Sequence, residues 1–196
     1  GVAPAPPREE GATDAADLAL DVFKEGGGGF EDIGADATFG VAQDMDAQGF
    51  QDLGGEGTLD MIATMGNDQF LNLESDQKAD MFNAMDHEQM TTMGQEQVFS
   101  AAENMDHTAL AGMEADAAAN MFAAIGDDTG NLGGQQLGGM FSAMGADNIQ
   151  DIGGEKVFDM VGNMSGDNFK EMGSDSAAGM FSAMGSDLAG AMSGDS

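Results

Sequence analysis

The sequence predicts an all-α protein: an α-solenoid of about nine 20-residue repeats, each made of two short helices. Three observations carry this expectation. Near-copies recur, with MFSAMGAD at 140–147, MFSAMGSD at 180–187 and MVGNMSGD at 160–167 halfway between them. All 18 Met residues fall into four columns of the resulting frame. Within one repeat the apolar positions have helical spacing rather than two-residue alternation.

The frame places repeat starts at Asp14, Gly34, Gly54, Glu74, Gly94, Glu114, Gly133, Gly153 and Gly173. The first repeat is degenerate, and the one from Glu114 to Leu132 is a residue short, at 19. Residues 1–13, with Ala-Pro-Ala-Pro-Pro, are expected to form an extended or disordered leader. The solenoid is expected over 14–192, with 193–196 as a polar tail.

Positions 5, 8, 9 and 12 of the repeat form the apolar stripe of a first helix of two to three turns. Position 8 holds Met61, Met81, Met121, Met140, Met160 and Met180; position 12 holds Met45, Met65, Met85, Met105, Met144, Met164 and Met184. Positions 17 and 20 mark a shorter second helix, with Phe30, Phe50, Phe70 and Met90 in one column and Leu53, Leu73, Met113, Met172 and Met192 in the other. Gly126, Gly145 and Gly185 at position 13 are expected to end the first helix in a left-handed conformation. Acids at position 15, such as Asp68, Glu88 and Asp167, are expected to cap or charge the start of the second. Gly at position 1 closes it. Helices this short are marginal alone, so stacking must stabilise them. At about 9–10 Å between packed helices, nine layers would span roughly 80–90 Å.

Phe adds a second pattern. It occupies position 6 in Phe39, Phe99 and Phe158, and position 9 in Phe82, Phe122, Phe141 and Phe181. No repeat has both, which suggests a forty-residue super-period with a phase break near 126–134 and rings that interdigitate from alternating sides.

Composition excludes several functions. With 5 basic and 36 acidic residues, the net charge is −31. A nucleic-acid binder needs Lys and Arg to neutralise phosphates, and a basic membrane-surface helix needs them too. The absence of Cys removes zinc fingers, disulfide scaffolds and cysteine catalysis. No apolar stretch approaches the ~20 residues of a membrane span. A start at Gly1 suits a processed, exported protein and equally a cloned fragment.

The segments MDHEQM, MGQEQV and NDQFLNL resemble the short helical repeats of bacterial surface and adhesin-like proteins, which read as Leu-Thr-x-Glu-Gln plus apolar residues. The resemblance covers about 54–113 and departs in using Met and Gly for Leu and Thr. It implies an exported structural module and transfers no functional residues.

Four features of the sequence bear on chemistry. The i, i+4 pairs Met61/Met65, Met81/Met85, Met140/Met144, Met160/Met164 and Met180/Met184 could hold Cu(I) through soft thioethers, but Ile125, Val41 and Ala101 fill the same columns, which favours core packing. Asp86-His87 and Asp106-His107, at one repeat position, favour a solvated corner, since imidazoles ~10 Å apart do not share a metal. In the segment 126–134, Asp127, Asp128, Thr129 and Asn131 are the candidate Ca²⁺ ligands, alternating like the start of a calcium loop but lacking its later Gly and Glu. A turn that absorbs the missing residue competes with that reading. At the end of the chain, Met180, Phe181, Met184 and Met192 would be exposed on an uncapped last layer and offer an interface.

No repeat concentrates catalytic residue types, so no enzyme is expected. The expected function is a non-enzymatic, exported structural or interaction protein. It would be an acidic scaffold at the cell surface or an extrinsic subunit of a larger assembly, joined to a protein partner or to itself end to end. The alternative is a cation-binding module, with Ca²⁺ at acidic loops or Cu(I) at Met pairs. No cofactor is expected beyond loose Ca²⁺ association along the acidic ridges.

Overall fold

The computed structural model describes residues 10–25 and 28–193, and the side chains of 11–25 and 28–185. Among the described residues there is no strand; thirteen α-helices and two 3-10 turns account for the regular structure. They fall into two compact bodies, Gly1–Met85 and Asp86–Ser196.

The first body holds α1 (Glu10–Glu25), a 3-10 turn (Gly29–Asp32), α2 (Ala35–Asp44), α3 (Ala47–Met65), α4 (Asn67–Leu71) and α5 (Ser75–Asn83). In it α3 packs against α1, α2 and α5. The second body holds α6 (His87–Met93), α7 (Gln95–Glu103), α8 (His107–Ala111), α9 (Ala115–Ile125), a 3-10 turn (Gly126–Asn131), α10 (Gly134–Ile152), α11 (Gly154–Val161), α12 (Gly166–Met172) and α13 (Ser174–Ser193). There α10 is the hub, packing against α8, α9, α12 and α13. Helix α1 begins four residues before the first expected repeat, so 10–13 of the expected leader are helical, while 1–9 lie outside the described residues. Helix α13 ends at Ser193, the first residue of the expected tail.

The two-helix repeat is visible in both bodies. The first helix starts at position 2 in α2, α5, α7, α9 and α11, and the second starts at position 14 in α4, α6, α8 and α12. Helices α3, α10 and α13 each run two such helices together across a glycine with non-helical angles: Gly54, Gly145 and Gly185. The breaks differ in detail from the expectation. Gly66 and Gly145 at position 13 have φ 81° with ψ 160° and φ 78° with ψ 169°, not the left-handed helical pair. Gly34, Gly54, Gly94, Gly153 and Gly173 at position 1 also have φ between 82° and 101°. Extended backbone with positive φ is accessible essentially to Gly alone.

Capping also shifts by two positions. The acid at position 15 sits in the first turn, but the cap is position 13: Asp46 accepts from the N–H of Gly49 at 2.9 Å and Asp86 from that of Gln89 at 2.8 Å. Gln89 returns the bond, its Oε1 accepting from the Asp86 N–H at 2.9 Å. Ser165 and Asn168 form the same reciprocal box. Asp, Ser and Gly alternate at position 13 because both solutions allow a sharp re-entry into helix.

The core is the Met frame. Fifteen of the 18 methionines are buried, and most of the Phe, Leu and Ile at positions 17 and 20 are buried with them. Full burial of one such side chain contributes roughly 1.5–3 kcal/mol, which lets helices of one to three turns persist. The two Phe columns are not equivalent, contrary to the interdigitation expected. At position 9, Phe82, Phe122 and Phe141 are buried and Phe181 is exposed; at position 6, Phe39 and Phe99 are half-buried and Phe158 is exposed. Position 6 lies off the apolar stripe, so its ring leans out.

Long-range polar contacts recur along the chain at a fixed offset. Gln77 donates from Nε2 to the Gln43 carbonyl, and Gln51 from Nε2 to the Asn83 carbonyl at 3.2 Å. Ninety-nine residues later, Ser176 Oγ donates to the Ser142 carbonyl at 3.5 Å and Gln150 Nε2 to Ser182 Oγ at 3.4 Å. The ring pairs Phe70–Phe82 and Phe169–Phe181 are related by the same offset. That offset is five repeats less the residue missing from Glu114–Leu132.

Candidate functional site

The segment singled out as a candidate Ca²⁺ loop is the 3-10 turn Gly126–Asn131. Thr129 is buried, and its hydroxyl donates back to the Gly126 carbonyl at 2.9 Å. Asp128 Oδ2 accepts from Gln95 Nε2 at 3.1 Å. Asp127 is fully exposed, its Oδ1 3.8 Å from Lys156 Nζ. The Gly130 carbonyl accepts from Asn163 Nδ2 at 2.9 Å. The groups around this turn thus bond into the fold, and the turn absorbs the missing residue. Among the described residues, no three Asp, Glu, His or Cys side chains group so as to hold a metal ion.

Lys156 also lines a hollow in the second body. A cleft of about 350 Å³ is lined by Ala119, Phe122 and Ala123 of α9, by Met144, Asn148, Asp151 and Ile152 of α10, and by Lys156 of α11. A second hollow of about 420 Å³ shares Ile152 and Lys156 and is lined also by Gly153, Gly154, Glu155 and Asp159. Asn148 donates to the Met144 carbonyl at 2.9 Å, so its amide is engaged. Neither hollow is lined by a hydroxyl or thiol. The arrangement sets apolar side chains beside the charged groups of Asp151 and Lys156.

The Met pairs are core. Met61, Met65, Met81, Met85, Met140, Met144, Met160, Met180 and Met184 are all buried, and Met164 is half-buried. The two Asp-His corners begin the short helices α6 and α8. His87 is exposed, and His107 Nε2 lies 3.7 Å from Glu171 Oε2. The expected interface is corrected in part. Met180 and Met184 are 0% and 2% exposed because positions 8 and 12 point into the stripe, whereas Phe181 is 55% exposed. The side chain of Met192 lies outside the described residues.

One group escaped the sequence reading. Lys78 occupies position 5, where other repeats have Val98, Leu137 and Val157, and it is only 2% exposed. Its Nζ donates to the Leu71 carbonyl at 3.1 Å. Two residues on, Asp80 is pushed up to about 6 by burial, with Asp76 and Asp46 adding like-charge repulsion. The signal was present: a Lys in an apolar column is an exception that a column-by-column reading exposes.

The chain matches no family model, no curated protein and no solved structure. No helix among the described residues is long and apolar enough to cross a membrane.

Proposed function

We propose that this chain is a non-enzymatic structural or interaction protein. It is an acidic helical-repeat scaffold, exported to the cell surface or bound as an extrinsic subunit of a larger assembly. Its nine repeats stack as one α-solenoid and meet protein partners, or further copies, through ends or long faces. The observation that supports this most is where the chemically capable side chains are. The Met pairs fill the core, the hydroxyl of Thr129 closes a turn, and Asp46, Asp86 and Ser165 cap helices. The acids that remain coat the repeats with charge.

Small-angle X-ray scattering tests the reading. A stack of nine layers gives a maximum dimension of roughly 80–90 Å and a radius of gyration of roughly 25 Å. A compact globule of this length gives about 16 Å, and that result would overturn the scaffold. Calorimetric titration with Ca²⁺ and Cu(I) distinguishes the cation-binding alternative. Weak, salt-competed uptake supports the scaffold, and saturable stoichiometric binding supports the module.

A further inference from the structure

The cleft between α9, α10 and α11 has apolar walls on an acidic chain. Ala119, Phe122 and Ala123 of α9 and Met144 and Ile152 of α10 supply them. Its volume of about 350 Å³ is at the low end of the ~300–1,000 Å³ of small-molecule pockets, which suits one large side chain better than a whole ligand. Ala119 and Ala123 lie one turn apart on the same face of α9, and their small side chains leave the cleft open.

The charges around the cleft are unequal. Asp151 lines it, Glu155 and Asp159 line the second hollow that shares Ile152 and Lys156, and all three acids are exposed. Lys156 is the one cation lining either hollow, and Asp127 Oδ1 already faces it at 3.8 Å. Helix ends add to the imbalance. Phe122 and Ala123 lie in the last turn of α9, and Asp151 and Ile152 in the last turn of α10; neither turn carries a basic residue. A helix C-terminus bears partial negative charge, so both turns favour a cation. The N-terminus of α11 acts the other way, and Glu155 in its first turn offsets it.

We propose that this cleft receives the apolar anchor of a basic segment from a protein partner. One Leu, Met or Phe side chain sits between the walls, and Lys or Arg on either side of it face Asp151, Glu155 and Asp159. This deepens the scaffold reading and rests on it, giving the scaffold a partner of stated chemistry. Burial of the anchor supplies most of the affinity, and charge selects the partner. An acidic segment with the same anchor meets repulsion. A basic segment without an anchor binds the chain only as a diffuse counterion, which salt screens.

Calorimetric titration of the full chain tests this. The probe is a pentapeptide, blocked at both ends, with a central Phe between two Lys-Arg pairs. Salt is held at about 0.15 M, where the Debye length is about 8 Å. Saturable one-to-one binding is expected, and a control peptide with Ser at its centre is expected to bind about tenfold more weakly for want of a buried anchor. A123F and A119L each fill the cleft from α9. Each is expected to bring the Phe peptide down to the control with helical circular dichroism unchanged, and either one suffices if the other disturbs the fold. D151N is expected to weaken binding about threefold and K156Q to tighten it about threefold. Equal binding of the two peptides overturns the proposal, as does full binding by a folded cleft-filling variant. A K156Q that binds more weakly also overturns it, because the cleft then favours an anion. Scattering separates this from the reading beneath it. An elongated chain that does not bind the Phe peptide overturns only the cleft's role, and a compact chain that binds it keeps that role and overturns the scaffold.

Discussion

Gln95 donates from Nε2 to the carbonyl oxygen of Ile125 at 2.6 Å. Ile125 ends α9, where the last carbonyls have no partner within the helix. A side chain thirty residues earlier supplies one, and the same nitrogen lies 3.1 Å from Asp128 Oδ2. Replacing it with Leu leaves a part-buried carbonyl unmet and is expected to cost about 1–2 kcal/mol in urea denaturation. Q95E is expected to cost more at pH 7, because a carboxylate then faces both oxygens.

The repeat junctions give opposite responses to the same substitution. G153A forces a Cβ onto backbone at φ 97° and ψ 146° and is expected to destabilise by about 1–3 kcal/mol. Gly40 lies inside α2, and an added Cβ there meets nothing within 4 Å. G40A is expected to stabilise by about 0.5–1 kcal/mol. Thermal melts of the two variants side by side check the contrast, and equal shifts would contradict it.

Gly139 is where α10 crosses α8. A Cβ there would lie 2.5 Å from the His107 carbonyl oxygen and 3.2 Å from Leu110 Cβ. Backbone cannot step aside as a side-chain tip can, so G139A is expected to cost about 1–3 kcal/mol by forcing the helices apart. Hydrogen exchange should locate the loosening at α8.

Asp80 sets a pH dependence. Its folded pKa of about 6 lies above the usual 3.8, so the protonated form is the one the fold favours. Its contribution to stability is complete below about pH 4 and is lost as pH rises through 6. D80N is expected to be more stable than wild type at pH 7 by about 1 kcal/mol, discounted for the side chain's partial exposure, and to match it near pH 4. Chemical denaturation at the two pH values measures the difference; a gap that persists at pH 4 would refute the assignment.

Net charge sets a salt dependence. At 0.01 M the Debye length is about 30 Å, so acids on successive repeats repel across several layers. Helical circular dichroism is expected to fall on desalting and chelation and to recover in molar salt. A spectrum unchanged over that range would show that packing alone carries the fold.

The helices, their length and their buried faces were legible because repetition samples the same physics several times. Met at positions 8 and 12 recurs until chance is excluded, and the structure buries nearly all of those side chains. Local grammar was partly legible. The capping role of Asp46, Asp86 and Ser165 at position 13 belongs to geometry that a neighbouring acid at position 15 imitates in sequence. The candidate Ca²⁺ turn shows the limit. Asp127, Asp128, Thr129 and Asn131 have a ligand-like spacing, yet the partners that engage or face the turn are Gln95, Lys156 and Asn163, roughly thirty residues away in the chain.

By itself the sequence determined the helical class, the 20-residue frame, the core columns and the acidic surface. Each follows from periodicity and composition, which act over one or two turns of chain. Only the tertiary structure decided which rings are covered, that Lys78 is buried against the Leu71 carbonyl, and that Met180 and Met184 turn inward while Phe181 does not. Those outcomes depend on which segment lies opposite, and residues some thirty positions apart meet through packing that no local spacing encodes.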